Sequence, residues 1–551
     1  MMKKRLSNFF TYDVAQAAGL IELKGQADPM VTGLEYDSRK IQPGNMYFAL
    51  PGLHTDGHRY IGEALAKGAS VIVHQDLLPE NHSDVAYIRV KDTRFAMSPL
   101  SAAFYDFPSQ RLAVIGVTGT EGKSTTVYLI YQLLRLLGKK AGFLSTVQYS
   151  DGGEPQWNPN HQTTPEANAV QRLLWEMLNN GVTYAVLEAS SHGLSPRTNR
   201  LGDVDFDVAV FTNVTHEHLE FHGTWEQYRQ DKANLFSALN NKPPKLDEQV
   251  SLAAPEPFGV INADDPSADF FIDATTRRTT TFSTRGMKAD LSLEAIESSA
   301  WGNWYNVQVA ENGLAENGLA KDGLAKNGRV IDIRDQLPGA FNAGNVLAAL
   351  LTVSGLLQMP VEEIAPLVQY LKPVRGRMTA VAQGQPFELL VDYAHTPSSF
   401  QTIFPPLAAR INARHGRIIS VFGSAGERDT QKRACQGKVA AAYSDIIVLT
   451  DEDPRGDPPM TILEEIAKGC ETSSGFEESQ KAWKRGENLF LIPDRPSAVR
   501  KALFLAKYGD LVLLLGKGHE NSIIYADRIM PYDEIYEAKT ALAEMGYKGE
   551  S

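Results

Sequence analysis

The chain has 551 residues, of which 43% are hydrophobic and 22% are charged, and its formal net charge is −12. This composition excludes a disordered chain, and the length predicts about three to four domains. The acidic balance argues against a large nucleic-acid interface, which requires a basic face, so any anionic substrate must be bound by local lysines and arginines. We expect a monomer that binds no nucleic acid.

Cysteine usage and hydropathy bear on the cellular compartment. The two cysteines, Cys435 and Cys470, have no neighbours at metal-ligand spacing, which is typical of a reduced, intracellular protein. The basic N-terminus is followed by no apolar segment, and the densest apolar run, LVLLL at 511–515, has the length of a strand. We therefore expect a cytoplasmic protein without a signal peptide or membrane span.

The first part of the chain, residues 1 to about 105, alternates strand and helix patterns. The runs MYFAL, SVIVH and AYIRV predict buried strands, and YIGEALAKGA predicts a helix. These alternating elements indicate a small α/β domain. The segment FYDFPSQ, residues 104–110, marks its end.

A glycine-rich turn follows the next predicted strand. The sequence GVTGTEGKSTT, residues 116–126 and hereafter the phosphate loop, lies between the apolar run LAVIG and an amphipathic helix. Its glycines let the backbone approach phosphate oxygens, its lysine supplies a charge, and its serine hydroxyl suits Mg²⁺. Val117 stands where the ordinary Walker pattern has glycine, so the loop is a variant. The context predicts a nucleotide site in a doubly wound sheet.

Two further strand-like runs end in polar side chains. YAVLEAS begins at 184 and FDVAVFTNV begins at 206, and a histidine taken alone from either segment is more often a surface or core residue than a ligand. Strand ends beside a phosphate loop reverse that preference, because a triphosphate bridged by Mg²⁺ needs hard oxygen ligands and some imidazole. The candidates are Glu188, Ser191, His192, Arg197 and Arg200 from the first segment, and His216, His218, His222 and Lys232 from the second.

The rest of the chain contains an insertion and a second α/β pattern. Residues 311–328 repeat a five-residue unit with too little apolar surface for a core, and we interpret them as a surface loop without chemistry. After LKPVRGRM, residues 371–378, four apolar strands each run into a turn of glycine and charged residues. That pattern predicts a second domain with polar groups at the carboxyl ends of its strands.

These motifs, taken in order, resemble the Mur ligases, ATP-dependent enzymes that add amino acids to the UDP-MurNAc peptide precursor of bacterial peptidoglycan. The resemblance covers nearly the whole chain apart from the insertion and parts of 235–300. It implies an α/β fold of three domains: a small N-terminal UDP-binding domain at 1–108, a central doubly wound P-loop-type ATPase domain at 109–372, and a C-terminal Rossmann-like domain at 373–551. ATP and Mg²⁺ are the implied cofactors.

The resemblance assigns catalytic roles in the central domain to Lys123, Glu188, His218 and Lys232, and a metal-binding role to Ser124. Lys123 would bind the ATP phosphates, and Ser124 would hold Mg²⁺ together with Glu188. His218 matches the ligand of a second Mg²⁺. Lys232 matches a lysine that the family carbamylates, which turns a group that repels a metal into its partner or positioner. The residues implied for ATP are Gly119, Thr120, Gly122, Lys123, Ser124 and Thr125, with Asn262, Asn342, Asn345, Arg377 and Asp392 from the motifs INADDP, FNAGN, GRM and DYAHTP.

The N-terminal segment YDSRKIQPGNMYFALPGLHTDGHRYI, residues 36–61, is similar to that of the members that add the third residue, a diamino acid, to UDP-MurNAc-L-Ala-D-Glu. The segment HQTTPEA, residues 161–167, is similar to the part of those members that touches the muramoyl dipeptide. The implied mechanism transfers the ATP γ-phosphoryl group to the D-glutamate side-chain carboxylate, and an amine then attacks the acyl phosphate. The residues implied for this substrate are Ser38, Arg39, Thr163, Thr164, Ser191, Arg197 and Arg200.

The motifs DEDPRGD and GKGHE bear on the amino acid that is added, through Asp453, Arg455, Gly516 and Glu520. In family members that add meso-diaminopimelate, an arginine meets the distal carboxylate and a glutamate meets the distal ammonium, and Arg455 and Glu520 match both. A guanidinium can pair bidentately with a carboxylate that lysine and ornithine lack. However, Asp453 stands where those members have a neutral amide, and an added anion favours an amino group. We predict meso-diaminopimelate, with L-lysine or L-ornithine as alternatives.

Two other functions remain as alternatives. A ligase similar to folylpolyglutamate synthase has a comparable loop but lacks a UDP-binding N-terminal domain. A catalytically silent regulator that binds a nucleotide or UDP-sugar is the second, because Glu121 replaces the asparagine usual in the phosphate loop of the family. An unpaired carboxylate beside a triphosphate costs about 1 kcal/mol or more. We expect the side chain of Glu121 to turn outward or to pair with an arginine, and the site to be active.

Overall fold

The computed structural model describes the chain as two compact units. The first contains Met1–Ser292, Ala310–Asn327 and Leu347–Ile364, and the second contains Leu293–Val309, Gly328–Val346 and Ala365–Ser551. The residues whose structure is described are 2–25, 28–52, 55–78, 82–158, 162–215, 219–240, 245, 256–299, 301–310, 329–427, 430–472 and 482–548.

The N-terminal part of the first unit contains a five-stranded sheet. Four of its strands are parallel neighbours, and the fifth pairs antiparallel at one edge. Alternate side chains such as Phe48, Val71 and Ile88 are buried in a core with the helix Thr93–Phe104. The order of the strands is Leu20–Lys24, Ala86–Val90, Val71–His74, Asn45–Phe48 and Gly33–Glu35, and the other helices are Leu6–Phe9, Tyr12–Ala17, Ser38–Lys40, Gly57–Tyr60, Ile61–Ala66 and Pro108–Arg111, with a short ribbon of Lys4–Arg5 and Met30–Val31.

The larger sheet of the first unit is doubly wound. Its first parallel strand in sequence, Ala113–Thr118, lies in the middle, between Tyr184–Glu188 and Val208–Phe211. The strand order therefore reverses at this point, and ligands of such sheets bind in the crevice beyond the carboxyl ends of the strands. The other strands of this sheet that lie wholly in the first unit are Gln156–Trp157, Gln148–Ser150 and Ala141–Leu144 on one side, and Phe258–Asn262 and Thr279–Ser283 on the other.

Helices of this part flank the sheet and follow its strands. The helix Lys123–Leu136 follows the phosphate loop, and it buries Val127, Ile130 and Leu134 in the interior. At the amino ends of the strands, the carboxylate of Asp207 accepts a hydrogen bond from the backbone of Val114. The other helices are Ala167–Asn179, Ser191–Leu194, Leu219–His222, Trp225–Ser237, Ala268–Asp273 and Val361–Ile364.

The second unit contains a six-stranded sheet. Five strands are parallel, and Thr379–Ala380 is antiparallel at one edge. Most of their apolar side chains are buried under helices on both faces. The other strands are, in order, Glu388–Asp392, Leu511–Leu515, Ile418–Phe422, Ile446–Leu449 and Leu489–Leu491, and the helices are Ala365–Tyr370, Pro397–Asn412, Gln431–Tyr443, Pro459–Glu471, Arg495–Leu505 and Glu534–Glu544, with a ribbon of Ser522–Ile524 and Ile529–Pro531.

Four further elements lie in the second unit or pass from one unit to the other. The strands Gly302–Val309 and Arg329–Arg334 form an antiparallel pair in the second unit. The strand Leu291–Ser299 begins in the first unit and ends in the second, and the helix Asn342–Leu357 begins in the second and ends in the first. The predicted insertion at 311–328 lies outside the described residues.

The predicted α/β class is confirmed, and so are the strands predicted from apolar runs. Each of the four strands predicted in the second half of the chain is a buried parallel strand followed by a polar turn. The domain limits of 1–108, 109–372 and 373–551 stay predictions. In the described part of the chain, no single helix has the length and apolarity needed to cross a membrane; the bent pair Asn342–Leu357 and Val361–Tyr370 meets these criteria only as a pair.

Candidate active site

The phosphate loop lies at the carboxyl end of the central strand of the doubly wound sheet. Gly119 has a φ of +154°, and a Cβ atom built there would lie 1.9 Å from the hydroxyl oxygen of Thr212. A side chain at this position would therefore displace the neighbouring strand end, which explains the glycine. The backbone N–H groups of Thr120 and Glu121 donate to Asn213, at 2.8 Å to its carbonyl oxygen and 2.9 Å to its side chain.

Lys123 opens the helix that follows the loop. Gly122 precedes it with a φ of +81°, in the left-handed region that favours glycine. The ammonium group of Lys123 donates to the carbonyl oxygen of Thr120 at 2.7 Å, which holds its charge over the loop. Ser124 and Thr125 follow in the first turn of the helix, where backbone N–H groups and the helix dipole favour an anion.

Glu188 lies at the carboxyl end of the neighbouring strand and is 2% exposed. Its Oε2 atom accepts three hydrogen bonds: from the hydroxyl of Ser124 at 2.8 Å, and from the N–H and hydroxyl of Thr146 at 2.7 and 3.0 Å. Among the described residues no cationic side chain lies within ion-pair distance of this buried carboxylate. A carboxylate and a hydroxyl are hard oxygen donors, so Glu188 and Ser124 fit Mg²⁺.

Lys232 is brought to the same loop by the helix Trp225–Ser237. Its side chain is buried, its ammonium donates to the carbonyl oxygen of Gly119 at 2.6 Å, and the charge lies 4.5 Å from the ring centre of Tyr228. The predicted carbamylation site is therefore adjacent to the phosphate loop. His218, the predicted ligand of a second Mg²⁺, and His216 lie outside the described residues.

A cleft of about 260 Å³ opens beside these groups. Three cationic side chains contribute to its wall: Lys123, Lys232 and Arg200. A cleft with that charge suits a substrate that carries carboxylate and phosphate groups. The remaining lining residues are Thr120, Gln162, Thr163, Thr164, Ser190, Ser191, His192 and Tyr228.

Thr164 and Arg200 are held in the cleft wall by the backbone around them. The hydroxyl of Thr164 donates to the carbonyl oxygen of Glu188 at 3.0 Å, and the guanidinium of Arg200 donates to the carbonyl oxygen of Thr164 at 2.8 Å. The carboxylate of Glu166 accepts a second bond from Arg200 at 2.8 Å and one from Arg94, on the helix Thr93–Phe104, at 2.9 Å. Two arginines thus share one carboxylate at the cleft wall.

Three residues predicted to bind the UDP-linked substrate are not among those that line the cleft. Ser38 donates its hydroxyl to Glu63 at 2.9 Å, and Arg39 pairs bidentately with Asp37 on an exposed turn. The guanidinium of Arg197 stacks 4.6 Å from the ring centre of Phe221 and donates to its carbonyl oxygen. Their predicted roles toward the substrate stay predictions.

The residues predicted on the adenine side are held by local hydrogen bonds. In the first unit, the amide of Asn262 donates to the carbonyl oxygen of Thr212 at 2.7 Å, so the INADDP motif adjoins the strand end that carries the loop contacts. In the second unit, Asn342 donates to the carbonyl oxygen of Pro338 at 2.8 Å and accepts a bond from Asn345 at 2.9 Å.

Asp392 and Arg377 lie together in the second unit, at the carboxyl end of a central strand. The carboxylate of Asp392 accepts hydrogen bonds from the backbone of Met378 and Ala394, both at 2.7 Å. Burial raises the pKa of Asp392 above its ordinary value, while the charge of Arg377 opposes that rise. The guanidinium of Arg377 lies 4.6 Å from the ring centre of Tyr393, and its Nε atom is buried without a hydrogen-bond partner in the described structure.

A buried cluster of carboxylates surrounds Lys517 in the GKGHE motif. The ammonium of Lys517 donates to Asp453 at 2.8 Å and to Glu520 at 2.5 Å. Asp453 also accepts a bond from the backbone of Ile524 at 3.0 Å. Burial raises the pKa of Glu520 and of the neighbouring Glu452 above their ordinary values. Lys517 therefore offsets part of the negative charge of Asp453 and is shared with Glu520, a pairing that the sequence did not indicate.

Arg455 and Gly516 complete the predicted amino-acid site. Arg455 has a φ of +53°, and its backbone N–H donates to the carbonyl oxygen of Ile524 at 2.9 Å. Its Nε atom is buried and makes no hydrogen bond within the described residues, so it is a free donor. Gly516 has a φ of +99°, and a Cβ atom there would lie 3.2 Å from the carboxylate of Glu452.

The direction of the Glu121 side chain is testable through ATP binding. If the carboxylate faces the triphosphate, Glu121→Asn removes a repulsion of about 1 kcal/mol, so we expect KM for ATP to fall about fivefold. The backbone contacts to Asn213 and Thr212 do not involve the side chain and should persist. Steady-state kinetics with varied ATP measures the change, and an unaltered KM would show that the carboxylate points away.

Several residues of the site were not predicted from the sequence. Thr146 follows the strand Ala141–Leu144, and its position at a strand end was a signal that could have been used. Ser190 lies beside Ser191 in the same motif and also lines the cleft. The pairing of Glu166 with Arg94 joins positions that are 72 apart in sequence, and no local pattern indicates it.

Comparison with known families gives three consecutive matches. Residues 30–105 match the Mur ligase family catalytic domain, residues 117–353 match the Mur ligase middle domain, and residues 376–518 match the Mur ligase glutamate ligase domain.

Individual proteins are similar over nearly the full length. A UDP-N-acetylmuramyl-tripeptide synthetase of Treponema denticola is 47% identical over 549 residues, which cover 97% of this chain and 98% of the relative. A UDP-N-acetylmuramoyl-L-alanyl-D-glutamate–2,6-diaminopimelate ligase of Geobacillus kaustophilus is 36% identical over 521 residues, which cover 94% and 96%. A solved structure of a ligase with the same name matches with a TM-score of 0.57 and 26% identity, covering 94% of this chain and 96% of the other.

Proposed function

Because the chain belongs to the Mur ligase family, it is an ATP-dependent amino-acid ligase of peptidoglycan precursor synthesis, and we propose that it is of the MurE type. The proposed reaction joins a diamino acid, meso-2,6-diaminopimelate, to the D-glutamate of UDP-MurNAc-L-Ala-D-Glu. ATP and Mg²⁺ are its cofactors. We also propose a monomeric, cytoplasmic enzyme with the three domain limits given above, and light scattering after size exclusion tests the oligomeric state.

The observation that carries this proposal is that the phosphate loop and the cleft wall both contact Glu188, at the end of one strand. The carboxylate of Glu188 accepts a hydrogen bond from the hydroxyl of Ser124, and its backbone carbonyl oxygen accepts one from the hydroxyl of Thr164. Ser124 belongs to the phosphate loop, and Thr164 belongs to the wall that also carries Arg200. A phosphoryl donor and a carboxylate acceptor bound to these two sides lie next to each other.

The chain's residues have separate roles in the proposed reaction. Lys123 and the helix N-terminus bind the ATP phosphates, and Arg200 orients the carboxylate that accepts the γ-phosphoryl group. Mg²⁺, held by Ser124 and Glu188, neutralises phosphate charge when it is bound. The acyl phosphate that results is attacked by the amino acid, a C–N bond forms, and phosphate leaves. Positioning and charge neutralisation account for catalysis of this kind.

The cluster around Lys517 supports the choice of diaminopimelate. L-lysine and L-ornithine were considered as the added amino acid because Asp453 adds an anion, which attracts the distal amino group of those amino acids. Lys517 pairs with Asp453 and offsets part of its charge, while Arg455 retains a buried donor suited to a distal carboxylate. Glu520 shares the ammonium of Lys517 with Asp453, and it is the group proposed to receive the distal ammonium of the amino acid. L-lysine and L-ornithine stay as alternatives for the same ligase.

The proposed activity is tested by measuring ADP release from ATP, Mg²⁺ and UDP-MurNAc-L-Ala-D-Glu with a panel of amines. Rapid ADP release with meso-diaminopimelate, and slow release with L-lysine and L-ornithine, is expected. If ADP is not released with any amine of the panel, the catalytically silent regulator would be favoured. ADP release with folate and glutamate in place of these substrates would favour the ligase similar to folylpolyglutamate synthase.

Arg455→Ala tests the amino-acid site separately. Loss of a charged hydrogen bond costs about 1.5–3 kcal/mol, so KM for meso-diaminopimelate should rise about 10- to 100-fold. KM for L-lysine should change little, because lysine has no distal carboxylate. Arg485→Ala is the matched control, since Arg485 is an exposed arginine paired with Glu464 and Glu471. An equal rise of KM for both amino acids would contradict the assignment.

A further inference from the structure

A serine, a histidine and an aspartate form a hydrogen-bonded chain that ends in the cleft wall. The hydroxyl oxygen of Ser191 lies 3.1 Å from Nε2 of His222, and Nδ1 of His222 lies 2.7 Å from the carboxylate of Asp231. Three different helices supply them: Ser191–Leu194, Leu219–His222 and Trp225–Ser237. The side chains of the histidine and aspartate are 0% and 1% exposed, so Ser191 is their route to the cleft.

The direction of each hydrogen bond follows from the chemistry of the partners. The other carboxylate oxygen of Asp231 accepts a bond from the amide of Gln227 at 2.8 Å. An ionised carboxylate only accepts, so Nδ1 of His222 carries the proton that it donates. In a neutral imidazole Nε2 is then an acceptor, and the hydroxyl of Ser191 donates to it. The lone pairs of Ser191 are left to accept a bond from an N–H group in the cleft.

The surroundings of His222 favour its neutral form before the reaction. Burial lowers the pKa of His222, and the charges of Lys232 and Arg197 also lower it, while the hydrogen bond and the charge of Asp231 raise it. The rings of His192 and Tyr228 pack against the imidazole, at 5.2 and 5.1 Å between ring centres. Carbamylation of Lys232 would replace a positive neighbour with a negative one and make the imidazole a stronger base.

We propose that Ser191, His222 and Asp231 form a relay that removes a proton from the incoming ammonium group of the amino acid. The ammonium gives one proton to the oxygen of Ser191 as the serine proton moves to Nε2 of His222, and Asp231 stabilises the imidazolium. The freed amine lone pair forms the C–N bond, the C–O bond to phosphate breaks, and the leaving phosphate takes the second proton from nitrogen. Ser191 touches the amine, and the other two residues act through Ser191.

This relay rests on the proposed function, but it acts on one step only. Formation of the acyl phosphate transfers a phosphoryl group to a carboxylate and requires no proton from an amine. Hydroxylamine is largely unprotonated at neutral pH, so it attacks an acyl phosphate without the relay and gives a hydroxamate. The two products, tripeptide and hydroxamate, therefore separate loss of the relay from loss of the whole site.

The variant His222→Gln should lower the kcat for tripeptide formation about 10²- to 10⁴-fold, the usual contribution of a general base, while hydroxamate formation stays at the wild-type rate. Ser191→Ala is a smaller change that removes the same proton path; because Ser191 is also predicted to bind the UDP-linked substrate, its tripeptide rate is compared with its own hydroxamate rate at saturating UDP-MurNAc-L-Ala-D-Glu, and the ratio should fall about 10²- to 10⁴-fold. His74→Gln is the matched control, because His74 is also a buried histidine, held by the carbonyl oxygen of Asp76. Its tripeptide and hydroxamate rates should both stay at the wild-type level.

The variant Asp231→Asn adds the pH profile of kcat/KM as a measurement, which would not change if Asp231 had only a structural role. Asparagine can still accept the bond from Nδ1 but carries no charge, so the pKa of His222 should fall. The acid limb of the pH profile of kcat/KM for the amino acid should then move to lower pH. Equal loss of tripeptide and hydroxamate in the His222 and Ser191 variants, or no loss in either, would overturn the relay. Absence of hydroxamate with wild-type protein would instead overturn the proposed function.

Discussion

Lys232→Ala should lower kcat for ligation about 10²- to 10³-fold, and added acetate should restore part of it. The magnitude is that of removing one preorganised group that stabilises charge in the transition state. Lys232 is buried against Tyr228 with its nitrogen at the Gly119 carbonyl oxygen, so a carbamate there adjoins the phosphate loop. Alanine leaves space at that point, and acetate supplies a small carboxylate of similar shape.

The experiment measures ADP release at saturating substrates with and without sodium acetate, and with sodium chloride at equal ionic strength. Lys245→Ala is the matched control, because Lys245 is also buried and paired with Asp207 at 3.0 Å, but at the amino ends of the strands. We expect that control to lose stability and to show no response to acetate. Full activity of Lys232→Ala without acetate would exclude the carbamate role.

Glu188→Gln should lower kcat about 10²-fold or more and raise the Mg²⁺ concentration required for half-maximal rate. Glutamine is isosteric and can still accept the bonds from Ser124 and Thr146, so the fold around it should persist. What it loses is the negative charge that favours a divalent cation. Titration of the rate with Mg²⁺ measures the effect, and thermal unfolding checks the fold.

The matched control for this change is Glu388→Gln. Glu388 is a largely buried carboxylate at the start of a strand, and it pairs with Arg410 at 2.7 Å and Arg414 at 2.6 Å. Its substitution removes a charge of the same kind far from the phosphate loop in sequence. We expect a lower melting temperature and an unchanged Mg²⁺ dependence. If Glu188→Gln and the wild type depend on Mg²⁺ in the same way, Glu188 is not a ligand of Mg²⁺.

The sequence predicted the fold class and much of the cleft, because both depend on local patterns. Apolar runs of five residues become buried parallel strands, and the polar residues that follow them meet at one edge of the sheet. For that reason Ser124 and Glu188, which follow two different strands, meet through a hydrogen bond, and their roles in the site stay predictions. Val117, the departure from the Walker pattern, is a buried strand residue and does not disturb the loop.

The features that were missed depend on pairings between distant positions. Asp453 was expected to add an anion to the amino-acid site, yet it pairs with Lys517, which is 64 positions later in the sequence. His222 was one of several histidines in the sequence, and its proposed role depends on Asp231 and Ser191, which lie on either side of the ring. Such pairings are set by how helices pack on the sheet, and residue spacing does not encode them.

Glu188 contacts the nucleotide side through its carboxylate and the acceptor side through its backbone carbonyl. In the proposed reaction, the separation between the two reactants is therefore set by the covalent dimensions of a single residue rather than by the packing of two separate segments. A fixed separation converts an encounter of two substrates into a reaction at constant distance. This is the entropic advantage that orientation gives to catalysis.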